Sequence, residues 1–242
     1  MIRICVLMLS LFFSCLAVSG CGMGKTVKKP QVNAEARKIA AAYGIGNFSR
    51  IEAIRYTCNL HIRNRHIQRS WIWEPDKNWV TYKGNSPGGE QTEFAYSRSE
   101  KDRAVFDDRV DKWFASDQNW LLFPFHLEWD GAEIVSDGSH PLPIPPGDAR
   151  RLTVRYPPES GYTAGDIYEL YYGPDYVIRQ WVYRKRGSEK PTRITTWEEH
   201  AKAGPILVSL TRNDDEGRFR LWFSGVAVRL RGSTVWLPAL IY

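Results

Sequence analysis

The stretch "AIRYTCNLHIRNR" constrains this chain more than any other. Ile54, Tyr56, Cys58, Leu60 and Ile62 occupy alternate positions, with Arg55, Thr57, Asn59, His61 and Arg63 between them. Side chains on an extended strand point to opposite faces in turn, so this period of two predicts a half-buried antiparallel strand. "RNR" predicts the turn. Residues 66–73 predict the return strand, with Ile67, Trp71 and Trp73 on one side. "EPDKN" (Glu74 to Asn78) is a turn, because Pro75 presets its own φ while Asp76 and Asn78 suit turn positions. Ten Trp, twelve Tyr and ten Phe in 242 residues favour β structure throughout.

Strand signals recur at residues 79–83 and 92–97, and again from residue 149. The later ones are "RRLTVRY", "DIYELYY", "YVIRQWVYRK", "TRITTW", "PILVSL", "RFRLWF" and "VAVRL", each closed by Gly, Pro, Asn or Asp. About eleven strands are expected. Two helical pieces interrupt them. Asn33 is a good N-cap for an amphipathic helix over 34–43, with Ala36, Ile39, Ala40 and Tyr43 at i, i+3, i+4 and i+7 and Gly44 at its end. "SEKDRAVFDDRVDKWFASDQ" places Phe106, Val110, Trp113 and Phe114 at helical spacing, with Ser99 and Asp102 as a capping pair. It leads into the apolar "NWLLFPFHLEWDG", where Pro124 must break or bend the helix. Residues 140–148 form a Pro-rich connector. No inter-domain linker is visible, so residues 33–242 are expected to be one domain.

The N-terminus carries an address. Arg3 precedes the apolar, uncharged run Ile4–Val18, shorter than the ~20 residues of a spanning helix. The run ends in Val18-Ser19-Gly20-Cys21, which resembles the bacterial lipobox. That resemblance implies a signal peptide over 1–20, acylation of Cys21, a flexible basic tether over 21–32 and attachment to a membrane. Gly22, where an Asp would retain the protein in the inner membrane under enterobacterial-type sorting, favours the periplasmic side of the outer membrane. With Cys5 and Cys15 in the segment removed and Cys21 acylated, Cys58 alone remains, and it is expected to pack as a small hydrophobe. Loss of Arg3 takes the formal charge from +6 to +5. The basic residues are spread along strands and the address is extracytoplasmic, so nucleic acid is excluded as a partner.

The segments "GYTAGDIYELYYGPDYVIRQWVYR" and "TTWEEHAKAGPILVSLTRNDDEGRFRLWFSGVAV" resemble the C-terminal pattern of the lipoprotein-localisation-factor (LolA/LolB-like) superfamily. Trp197, Gly204, Ile206, Val208, Gly217, Phe219, Val226 and Val228 stand at its characteristic places. The resemblance implies a mainly β fold, a curved antiparallel half-barrel with helices covering its concave face. It also implies a hollow that shelters an acyl chain of a lipid or lipoprotein. Trp71, Trp73, Trp113, Phe114, Trp120, Leu122, Phe123 and Trp181 are the expected apolar lining. Carriers of this class that shuttle are not lipidated, so a tethered chain would be a stationary acceptor or sensor.

Catalytic patterns are missing from the sequence. His61, His66, His126, His140 and His200 form no HExxH or Cys/His cluster, and there is no GxSxG, SxxK or phosphate loop. "DDRVD" puts Asp107 and Asp111 on one helical face with Arg103 four residues before Asp107, and a solvated ion-pair face is expected. "EEH" at 198–200 reads as a polar edge. Neither an enzyme nor a cofactor is expected. The leading expectation is a lipid-anchored periplasmic binding protein for an apolar ligand. The alternative is an envelope scaffold with a filled core, contacting a protein partner through residues 140–148 or the tail "STVWLPALIY".

Overall fold

The computed structural model describes residues 33–99 and 108–241. Cys21, the signal segment and the tether lie outside these residues, as do Asp102, Arg103, Phe106 and Asp107.

Helix α1 (Ala34–Ala42) is capped as expected: the Asn33 side chain accepts from the backbone N–H groups of Glu35 and Ala36. Tyr43 closes it, and Gly44 follows at φ 90°. Gly44 also passes so close to the Pro205 carbonyl that a Cβ would lie 2.7 Å from the oxygen, so two constraints hold a glycine there.

Two antiparallel sheets follow. The first contains β1 (Ile51–Ile62), β2 (Arg65–Glu74), β3 (Trp79–Asn85), β4 (Gln91–Ser97), β10 (Glu198–Ala203), β11 (Ile206–Asn213), β12 (Phe219–Leu230) and β13 (Trp236–Ile241), in the order β11-β10-β13-β12-β1-β2-β3-β4 with a further β11–β12 pairing. The second contains β5 (Glu133–Pro141), β6 (Asp148–Arg155), β7 (Ile167–Tyr172), β8 (Ile178–Arg184) and β9 (Arg193–Thr196), in chain order. The sheets meet where the Asn213 N–H donates to Thr196 Oγ1 at 3.0 Å. The result is a partial β-barrel with helices, the expected fold class.

The expected β1–β2 hairpin forms with a tighter turn than "RNR", since Ile62 already pairs with Arg65, and Ile54 stands opposite Trp73, Tyr56 opposite Trp71 and Leu60 opposite Ile67. Ile54, Tyr56 and Cys58 are buried. The strand count needs correction, from about eleven to thirteen among the described residues. "RFRLWF" and "VAVRL" are a single strand, β12, bent by a bulge at Gly225 (φ 62°) between the pairs Arg55–Ala227 and Thr57–Ser224. β5, β10 and β13 are additional. "EEH" is therefore part of a strand rather than a polar edge, and the tail docks by pairing with β12 and β10.

Helix α2 (Asp108–Trp129) links the edge strand of one sheet, β4, to the edge strand of the other, β5. Its second half is buried on every side from Leu121 to Phe125, so it lies within the core rather than upon it.

Candidate functional site

Pro124 sets the local structure of α2. Proline has no N–H to give the carbonyl four residues earlier, and its ring crowds that carbonyl. The helix accordingly kinks at Leu122 (φ −112°, ψ 18°). Trp120 holds the carbonyl that residue 124 does not serve, and Arg212 Nη2 donates to it at 2.9 Å. Arg212 is fully buried on β11, and no carboxylate pairs with it among the described residues. Its remaining bonds are also to neutral acceptors. Nη1 donates to Ser209 O (3.0 Å), Ser209 Oγ (2.7 Å) and Thr211 O (3.1 Å), and the guanidinium lies 3.7 Å from the ring centroid of Trp197. Burial lowers its basicity to about 9.

The other polar groups of α2 tie it to both sheets. Asp117, 1% exposed, accepts from Arg69 Nε (2.7 Å), Arg69 Nη2 (2.6 Å) and Trp71 Nε1 (2.9 Å). Asp111 is 3% exposed and accepts from Tyr96, Arg98 and Tyr162, which corrects the expectation of a solvated face there. Asn119 Nδ2 donates to Tyr168 Oη of the second sheet at 3.5 Å.

The eight expected lining residues lie in this layer in two groups. Trp71, Trp73, Trp113 and Phe114 gather against the first sheet: Phe114 contacts Trp71 (5.4 Å between centroids) and Trp73 (6.1 Å), while Trp113 meets Tyr82 (6.4 Å). Trp120, Phe123 and Trp181 gather against the second, Trp120 at 4.2 Å and Phe123 at 5.3 Å from Trp181. Leu122 is buried at the kink. Trp73, Trp113 and Trp120 stay partly exposed and the other five are buried. Trp197 joins the second group, 5.6 Å from Trp181. Several donors in this layer have no hydrogen-bond partner among the described residues: Trp181 Nε1, Trp197 Nε1, Arg212 Nε and the Thr195 hydroxyl.

A cleft of about 840 Å³ opens beside α2, with Trp120 and Tyr168 in its wall and Arg98, Lys112, Lys185 and Arg186 among its polar residues. Trp120 and Tyr168 therefore reach both the cleft and the aromatic layer, since Tyr168 lies 5.2 Å from Trp181.

Nucleophile chemistry is disfavoured at Cys58. Burial, and then the nearby Asp117 carboxylate, push its thiol well above its ordinary value. His200 shares a hydrogen bond with Tyr43 Oη (3.2 Å) and is held neutral, its pKa lowered to about 4 by burial and then by Arg212 and Arg179. Among the described residues no group of three or more His, Cys, Asp or Glu is placed to hold a metal ion.

Sequence reasoning missed Arg212, Arg69, Asp117 and Trp197 as site residues. Arg69 carried a usable signal, since it shares the alternate positions of Ile67, Trp71 and Trp73 and so had to face inward. Arg212 carried little, standing beside "ND" at a turn.

These features define an antiparallel half-barrel with its interior occupied by one kinked helix. No family model matches the sequence, and no curated protein does. Among solved structures it is similar to a DUF1329 family protein from Desulfovibrio piger, with 9% identity, a TM-score of 0.46 and coverage of 86% of this chain and 96% of that one. It is also similar to a putative outer membrane lipoprotein-sorting protein domain from Vibrio parahaemolyticus, with 8% identity, a TM-score of 0.41 and coverage of 83% and 95%.

Proposed function

We propose that the chain is a lipid-anchored binding protein of the bacterial envelope, on the periplasmic side of the outer membrane, and not an enzyme. It would take the acyl chain of a lipid or lipoprotein between α2 and the sheets. Acylated Cys21 would hold it at the membrane, where such ligands reside. The observation that carries this reading is the composition of the layer beneath α2. Trp181 and Trp197 present aromatic faces together with unpartnered N–H donors, and Arg212 adds a third. Apolar walls with a few convergent donors suit a molecule that is mostly hydrocarbon with an acid or ester group at one end. In the closed form α2 supplies the filling with its own Trp120, Leu122 and Phe123. Ligand entry would displace that half of the helix and release the Trp120 carbonyl from Arg212.

The second reading, a scaffold with a permanently filled core and a protein partner, is favoured by the direct contact of Trp120 on Trp181 at 4.2 Å. One experiment separates the two. The processed protein is purified, analysed for co-purifying lipid by native mass spectrometry, and offered a fluorescent fatty acid. Bound lipid or saturable probe uptake supports the binding protein. Neither, with the fold intact by circular dichroism, leaves the scaffold.

A further inference from the structure

The hairpin turn between β1 and β2, the start of β9 and the turn between β11 and β12 meet at one end of the sheets. They enclose a cleft of about 800 Å³ lined by Ile62, Arg63, Asn64, Arg65, Arg193, Asp214 and Arg218. The turns are joined, the Arg63 N–H donating to the Arg218 carbonyl at 3.0 Å. Four arginines thus line one opening together with one aspartate, and the carboxylate of that aspartate is engaged. Asp214 Oδ1 accepts from the backbone N–H groups of Arg218 (3.0 Å) and Phe219 (3.1 Å). Arg218 pairs with Glu216 on the same turn. Arg63, Arg65 and Arg193 have no ion pair among the described residues.

Arg193 is the anchor of the group. It is half-buried, and its guanidinium lies 4.1 Å from the ring centroid of Phe219. Burial and then the neighbouring Arg218 lower its basicity, while Asp214 opposes them, so an anion would relieve the site. Arg63 is held at φ 54°, a backbone conformation that non-glycine residues seldom adopt. Like charges lining a concave surface focus the field and raise the local concentration of counter-ions. The planar fork of arginine matches paired oxygens on phosphorus.

We propose that this cleft binds a phosphate group, with Arg63, Arg65 and Arg193 as its ligands. The group belongs either to a phospholipid headgroup or to a soluble phosphate compound. The site stands on different residues from the acyl-chain layer and does not depend on that reading.

The test titrates the full processed chain in nonionic detergent at low salt by calorimetry. The probes are inorganic phosphate, tripolyphosphate, and monomeric dihexanoyl phosphatidylglycerol and phosphatidylcholine. Wild type is compared with Arg63→Gln, Arg193→Gln and, as a control on another face, Arg55→Gln. Losing one charged, bidentate donor is expected to weaken binding about tenfold or more, with the control changed less than about twofold by screening at a distance. Binding of the inorganic probes alone assigns the soluble source. Binding of either short-chain lipid alone assigns the headgroup. No binding of any probe, or equal losses in all three variants, overturns the proposal. Arg63 is exposed on a turn, so its variant keeps the test valid if Arg193→Gln fails to fold.

Discussion

The contact between Arg212 and the Trp120 carbonyl yields a quantitative test, a double-mutant cycle of Arg212→Met and Pro124→Ala. Arg212→Met alone mixes opposing effects. It removes four hydrogen bonds from a charged donor, and it also removes the cost of burying an unpaired cation. Pro124→Ala isolates one of them, because alanine restores the N–H that an uninterrupted helix directs at residue 120. In that background the Trp120 carbonyl keeps a donor when Arg212 is lost. In wild type it does not. One charged hydrogen bond and the desolvation of the carbonyl together set the expected coupling at about 1.5 kcal/mol. Urea unfolding of wild type, both single variants and the double variant measures it, provided the slopes agree. A coupling below about 0.5 kcal/mol, the level of independent sites, would refute the role given to Arg212 at the Trp120 carbonyl.

Asp117→Asn should destabilise the protein by about 3 kcal/mol or more, because it leaves the Arg69 charge buried beside a weakened acceptor; thermal and urea unfolding would show this, and a loss under about 1 kcal/mol would contradict it. His200 should make stability fall as pH drops from about 6.5 to about 4: there the unfolded chain binds a proton that the folded imidazole refuses until about 4. The side chain is partly exposed, so the loss is set at about 2 kcal/mol. Unfolding midpoints at pH 7 and pH 4.5 should differ more in wild type than in His200→Asn. Cys58 should resist a water-soluble thiol reagent in the native protein and react at once in denaturant; fast native labelling would show the thiol accessible. Phe123→Ala should cost about 3–5 kcal/mol by the cavity it leaves against Trp181 and Tyr168, read from the urea midpoint.

What the sequence made legible follows from how local each cause is. The α1 cap, the β1–β2 hairpin, the turn at Pro75 and the bend at Pro124 depend on neighbours a few residues away, and all were readable. β5 was not, because its "EIVSDGSHP" lies mostly exposed at a sheet edge and shows no alternation. β10 was not, because "EEHAKA" has little strand propensity and is held by partners on both sides. Asp111 looked like an ordinary helix-surface acid, and nothing local marked Asp117. Their partners are Arg98, just past the end of β4, and Arg69, on β2, and no periodicity within the helix records them. The aromatic lining was readable as apolar residues. Its division between two sheets was not, since that follows from where the chain passes from one sheet to the other.

That passage has a mechanical consequence. Where β9 meets β11, a threonine hydroxyl stands in for a ladder: Thr196 Oγ1 accepts from the Asn213 N–H and donates to the Asn213 carbonyl, at 3.0 and 3.4 Å. A seam stitched by a rotatable hydroxyl tolerates changes of angle that a run of backbone pairs would resist. At that seam the packing between the two sheets, Trp120 and Phe123 on Trp181, sets their angle where no backbone ladder does.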